Sequence, residues 1–170
     1  MQSRYAFPTY MLNEGRQMSE QQANVTQAEV TTDYEPRVIA FLCKWCSSAG
    51  SDLAGVSRIQ YPANATPITV PCTGSISPNY ILSALKKGAD GVLVSGCHIG
   101  DCHYIEGNFL ARRKIHLVKE LLGFVGIEQD RFRMSWVSAA EGAKYSQVIK
   151  DFVDDLRPLG PQTKVKADRS

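Results

Sequence analysis

The sequence has no apolar run long enough to cross a bilayer. Its longest runs are strand-sized, such as Val38-Ile39-Ala40-Phe41-Leu42-Cys43, whereas a spanning helix needs about 20 residues. It carries no large charge of either sign. Lys and Arg number 19 against 17 Asp and Glu, a formal +2, too small to argue for nucleic acid binding. No secretory leader is legible, because Pro8 and polar neighbours interrupt Met1 to Leu12. There is no Ser-His-Asp or paired-carboxylate constellation, no G-x-x-x-x-G-K loop and no G-x-G-x-x-G. From these absences we expect a cytoplasmic globular protein, with no membrane or nucleic acid partner and no catalytic constellation of its own. Its 170 residues, 44% hydrophobic and 21% charged, suffice for one core.

The chain does have five cysteines. An odd number excludes complete disulfide pairing within one chain. In a reducing compartment, cysteines more often bind metal or do redox chemistry. The structural reading, five small buried hydrophobes, is set against their spacing.

Residues 1–35 read as a polar N-terminal extension. From Gln17 to Glu35 they are rich in Gln, Ser, Thr, Asn and Glu, too polar to offset the entropy of ordering. Pro36 marks the start of a domain over 36–160, and 161–170 read as a short tail. Within the domain, strands and helices alternate. Strands are expected at Arg37–Leu42, Ile68–Val70, Gly91–Ser95 and Arg131–Val137. The continuous Val92-Leu93-Val94 run is typical of a buried parallel strand. A first helix is expected at Asp52–Ile59. A second begins after the Ser77 N-cap and Pro78 and stops at Gly88. A third is expected from Ile105 to Leu122, burying Ile105, Phe109, Leu117 and Leu121 and ended by Gly123 and Gly126. A capping box, Ser138 with Glu141, opens a last helix to about Leu156. This alternation implies an α/β fold: a flavodoxin-like parallel sheet of about four strands with helices on both faces.

On that fold, Cys43 and Cys46 follow strand one, Cys72 follows strand two, and Cys97 and Cys102 follow strand three. All five lie at the carboxyl edge, where open α/β sheets bind ligands. With strand one central, they converge on one patch. Iron–sulfur clusters take four thiolates. Gly96 and Gly100 are expected to let backbone amides approach cluster sulfides, and helix N-termini favour an anionic centre. Zinc competes, with Cys43 and Cys46 as a half-site and His98 or His103 completing a tetrahedron. Thiol–disulfide exchange through Cys43-Lys44-Trp45-Cys46 would leave three cysteines unexplained. His98 and His103 either tune or ligate the centre or are loop histidines bonded to backbone. His116 reads as surface, and Arg112-Arg113-Lys114 as a solvated face or a docking site for an acidic partner. Trp45 and Tyr104 shield the site or belong to a core or interface.

Several blocks carry a further signal. They are Cys43-Lys44-Trp45-Cys46-Ser47 with Asp52-Leu53-Ala54-Gly55, then Pro71-Cys72-Thr73-Gly74, and Gly88-Ala89-Asp90-Gly91-Val92. The most specific is Gly96-Cys97-His98-Ile99-Gly100-Asp101-Cys102-His103-Tyr104. Gly107-Asn108, Arg112-Arg113 and Ser138-Ala139-Ala140-Glu141-Gly142 continue the pattern. Over about 36–160 the chain resembles the delta subunit of methyl-viologen-reducing hydrogenase. The resemblance implies a [2Fe–2S] cluster on a flavodoxin-like fold without flavin. It implies electron transfer from hydrogenase or formate dehydrogenase subunits to the heterodisulfide reductase A-type flavoprotein, whose flavin bifurcates them between ferredoxin and heterodisulfide. The implied host is a methanogen-like archaeon or an anaerobic relative.

Sequence reading thus gives an electron relay whose candidate metal ligands are Cys43, Cys46, Cys72, Cys97 and Cys102. The four expected ligands are Cys46, Cys72, Cys97 and Cys102. Cys43 is set aside because a strand-terminal side chain is expected to point into the sheet packing. The alternatives are a zinc-stabilised adaptor holding neighbouring subunits together and a small flavoprotein, which lacks an obvious phosphate site.

Overall fold

The computed structural model describes residues 34–165. All but the last two residues of the expected N-terminal extension, and residues 166–170, lie outside them. Strands β1 (Val38–Cys43), β2 (Ala65–Val70), β3 (Gly91–Gly96) and β4 (Phe132–Trp136) form one parallel sheet in the order β2-β1-β3-β4. Helices α1 (Ser47–Val56), α2 (Pro78–Lys86), α3 (Gly107–Val125) and α4 (Gly142–Leu156) connect and cover it. This is the expected α/β architecture. The chain winds outward from β1 in both directions, so the carboxyl ends of β1 and β3 flank a topological switch point.

Alternation along the strands divides the core in two. Val38, Ala40, Leu42 and Leu93 meet Ala54 of α1 and Tyr145, Ile149 and Phe152 of α4. Phe41, Val92, Val94 and Phe132 meet Ile81 and Leu85 of α2 and Val118 and Leu122 of α3. β3 is buried at every position, which is why its sequence is apolar without alternation. β2 is an exposed edge strand. It extends three residues further towards the N-terminus than expected, because an edge strand tolerates Pro67.

Three helix starts differ from the sequence reading. α1 begins at Ser47 rather than Asp52, since the Gly- and Ser-rich stretch after Cys46 is already helical. A Cβ on Gly50 would stand 2.8 Å from the Ser138 carbonyl oxygen, so the glycine lets α1 lie against the loop after β4. α3 begins at Gly107, because Ile105 sits in a turn with φ +67°. That helix runs through Gly123 and ends at Gly126, φ +80°, the left-handed C-terminal position. Its buried stripe is Asn108, Ala111, Val118 and Leu122. Phe109 and Leu117, assigned to the core by periodicity, are 42% and 60% exposed. α4 begins at Gly142. Ser138 and Glu141 instead close a turn before it: the Ser138 N–H donates to Glu141 Oε2 at 2.8 Å, and the Glu141 N–H donates to the Ser138 carbonyl at 3.2 Å.

The start of the expected C-terminal tail packs on the domain. The Gln162 N–H donates to Asp90 Oδ1 at 2.8 Å, while buried Arg131 donates to the carbonyls of Leu159, Gly160 and Asp90. No helix among the described residues is long and apolar enough to cross a membrane.

Candidate metal centre

Each cysteine is placed by the end of a strand. Cys43 is the last residue of β1, and Lys44 continues the ladder by donating its N–H to the Val70 carbonyl at 2.9 Å. Cys46 is the N-cap of α1. Buried Ser47 fixes that corner, its Oγ donating to the Val137 carbonyl at 3.3 Å and accepting from Ser95 Oγ at 2.9 Å. Cys72 caps the short 3-10 turn Thr73–Ser75, its Sγ accepting the Gly74 N–H at 3.4 Å. Cys97 follows β3 directly, and Cys102 lies in the loop leading to α3.

The sulfurs meet as the sequence reading expects. Cys43, Cys46 and Cys97 form a small buried cluster of their own, with Cys102 packed against it. Cys72 Sγ lies 3.8 Å from Cys102 Sγ. That spacing matches the edge of a thiolate tetrahedron with metal–sulfur bonds of about 2.3 Å. Cys43 therefore belongs to the sulfur patch rather than to either apolar core, contrary to the reason for setting it aside. Among the described residues, no three His, Cys, Asp or Glu side chains stand ready to hold a single metal ion.

Glycines clear the space around these sulfurs. A Cβ on Gly107 would overlap Cys72 Sγ and come within 3.0 Å of Cys102 Sγ. One on Gly74 would lie 2.6 Å from the Gly107 carbonyl oxygen. Gly96 makes room for the Thr73 side chain, and Gly100, φ +97°, is a turn residue with open space around it. The glycine that lies directly against cysteine sulfur is Gly107, which opens α3.

The thiols do not share one acidity. Donation from the Cys46 thiol holds Cys43 down at about 6, helped by backbone N–H groups against the opposing effect of burial. The same contact, with burial, pushes Cys46 far up. Burial pushes Cys72 up, and burial with the charges of Cys102 and Cys43 pushes Cys97 up to about 11. At Cys102 burial is outweighed by the N–H groups of Tyr104, Asn108 and Gly107 and by the Cys72 thiol, so its pKa falls. A metal bound through Cys46, Cys72 or Cys97 would displace the proton that burial helps to hold there.

Around the patch, Trp45 stacks on His103 with ring centroids 3.7 Å apart and donates its indole N–H to Tyr104 Oη at 3.4 Å. Trp45 and Tyr104 are both about half exposed. His98 Nε2 lies 2.7 Å from Glu141 Oε2. It pairs with a carboxylate rather than with backbone. The Ser138 N–H, then His98 and Lys144, hold Glu141 down at about 2. Buried Asn108 donates to the His98 carbonyl at 2.5 Å and to Cys97 Sγ at 3.7 Å. His116, Arg112 and Arg113 are exposed, as expected, whereas Lys114 turns inward. Sequence reasoning gave no role to Asn108 and no partner to His98. The available signal was periodicity, since Asn108 is the polar member of the buried stripe of α3.

Residues 38–160 match the family described as methyl-viologen-reducing hydrogenase, delta subunit. The D-type iron-sulfur subunit of the F420-non-reducing hydrogenase of Archaeoglobus profundus is 43% identical over 132 residues, 78% of this chain and 96% of that one. The corresponding vhc iron-sulfur subunit of Methanococcus voltae is 44% identical over 131 residues, 77% of this chain and 91% of that one. The A-type component of the ferredoxin:CoB-CoM heterodisulfide reductase of Methanosarcina mazei is 47% identical over 139 residues, 82% of this chain. The match spans only 18% of the length of that relative, and likewise 18% of its counterpart in Methanosarcina acetivorans. With the family match covering the whole sheet and all five cysteines, the chain belongs to the family of the methyl-viologen-reducing hydrogenase delta subunit.

Proposed function

We propose that this chain is an electron-transfer subunit holding one [2Fe–2S] cluster with four of its five cysteines. It takes electrons from a hydrogenase or formate dehydrogenase module and passes them to a heterodisulfide reductase A-type flavoprotein, in a complex that bifurcates them. The observation that carries the reading is the gathering of five sulfurs from three loops at the switch point of the sheet. The names of the relatives add support, since they describe iron-sulfur subunits of hydrogenases and a heterodisulfide reductase component.

The residues fit such a group. Thiolates are the ligands an iron–sulfur cluster uses. Gly107 keeps carbon away from the Cys72 and Cys102 sulfurs. Thr73 Oγ1 and Asn108 Oδ1 are buried beside the cysteines without a hydrogen-bond partner among the described residues, and the Thr73 hydroxyl is free to donate to an anionic centre. A [2Fe–2S] cluster supplies a one-electron couple when bound. The chain's own residues set its surroundings: Asn108 donates to Cys97, Gly74 donates to Cys72, and the Trp45, His103 and Tyr104 rings limit water. Cys102, the least buried cysteine, marks the edge from which a partner approaches.

Cys72 and Cys102 form one ligand pair, and the second is drawn from Cys43, Cys46 and Cys97. Single Cys→Ser variants read by EPR after anaerobic purification test this. Cys72→Ser and Cys102→Ser each lose or strongly alter the signal, and one of the other three keeps it. A normal signal for Cys72→Ser or Cys102→Ser contradicts the assignment.

A further inference from the structure

Lys114 follows Arg112 and Arg113 in a run that sequence alone reads as a solvated or docking face. The two arginines are exposed, but Lys114 is partly buried. Its Nζ donates to the Gly74 carbonyl at 2.6 Å and to the Ile76 carbonyl at 3.3 Å. Those carbonyls belong to the turn that Cys72 caps and the residue that follows it.

Helical side chains lean towards the N-terminus of their helix. Lys114 and Gly107 are seven residues apart, so they share a face of α3. The helix therefore grips the Cys72 turn twice: at Gly107, against which Gly74 lies without room for a Cβ, and at Lys114. The turn is held from within as well. The Ser75 N–H donates to the Cys72 carbonyl at 3.1 Å and the Ile76 N–H to the Thr73 carbonyl at 3.2 Å. Fixing a long lysine stem costs side-chain entropy, and two charge-assisted bonds to carbonyls offset it.

We infer that Lys114 is a positioning residue for Cys72, clamping the Thr73–Ser75 turn so that the Cys72 sulfur stays beside Cys102. The clamp stands on geometry alone. Its redox consequence rests on the proposed cluster: a fixed cation near an anionic centre favours the reduced form.

The test uses the full chain with Lys114→Met, Lys114→Arg and the exposed-face control Arg113→Met. In metal-free protein, alkylation of Cys72 is followed by mass spectrometry. Lys114→Met removes both bonds and is expected to speed it by about tenfold or more, since the loss of even one charge-assisted hydrogen bond opens the turn by about that factor. Lys114→Arg restores the wild-type rate, and Arg113→Met leaves it alone. After anaerobic reconstitution with iron and sulfide, Lys114→Met shows a lower reduction potential than wild type. An unchanged Cys72 rate in Lys114→Met overturns the inference. Hydrogen exchange on wild-type protein gives a reading independent of any variant's folding: the Ser75 and Ile76 amides exchange slowly in a clamped turn, and open-loop rates overturn the clamp. If Cys72 responds as expected while wild-type protein takes up no iron, the clamp stands and the electron-relay reading falls.

Discussion

Replacing Gly107 by alanine probes the sulfur patch without touching a sulfur. Gly107 is the first residue of α3 and has no positive φ. In an unobstructed helix, Gly→Ala stabilises by about 0.5–1 kcal/mol. Here the added Cβ overlaps Cys72 Sγ and lies 3.0 Å from Cys102 Sγ. Ordinary contact needs about 3.5–4.0 Å, so the Cys72 sulfur must move by about 1 Å or more. Overpacking of this kind costs about 1–3 kcal/mol. Gly55 supplies the control: it too is helical, but unlike buried Gly107 it is exposed, and its Cβ would meet nothing within 4 Å. For a chain of this length each kcal/mol moves the melting temperature by about 2–4 °C. In metal-free protein, Gly55→Ala should therefore melt slightly above wild type and Gly107→Ala several degrees below it. Gly107→Ala should also retain less iron after reconstitution. If both variants are equally stabilised and Gly107→Ala binds iron normally, the Cys72 and Cys102 sulfurs do not lie against Gly107 and the geometry is wrong.

Two further outcomes follow from the acidities. In metal-free protein at neutral pH, iodoacetamide should modify Cys102 first, because it combines a lowered pKa with the greatest exposure of the five. Faster labelling of Cys43, also acidic but only 2% exposed, would show that the patch opens readily. Glu141 has its folded pKa depressed to about 2, so its contribution is present above the unfolded value of about 4.3 and is lost as pH falls towards 2. The gap in urea midpoint between wild type and Glu141→Gln should accordingly narrow from pH 6 to pH 3, and a constant gap would refute the pairing with Ser138 and His98.

The sheet was legible because its strands report their own environment. Val92-Leu93-Val94 is apolar at every step, and β3 is covered on both faces. The convergence of the cysteines was legible for the same reason, since placing each after a parallel strand fixes the edge they share. The start of α1 was not, because Ser47-Ser48-Ala49-Gly50 has the composition of a loop. Its helicity depends on tertiary partners, namely Val137 and Ser95 bonded to Ser47 and Ser138 lying against Gly50. α3 misled by carrying apolar residues on two sides. Ala111, Val118 and Leu122 face the core, while Leu110, Leu117 and Phe124 remain exposed, and periodicity alone cannot choose between the stripes. Lys114 was illegible for a different reason: its partners are backbone carbonyls some 40 positions earlier in the chain, which no residue type announces.

The most direct test of the central claim is the iron and acid-labile sulfide content of the anaerobically purified chain, read with its visible absorption. A cluster held by four thiolates predicts about two irons and two sulfides per chain, with a coloured spectrum that bleaches on reduction. One zinc per chain, without sulfide and without colour, would contradict the account and leave a zinc-stabilised adaptor in its place.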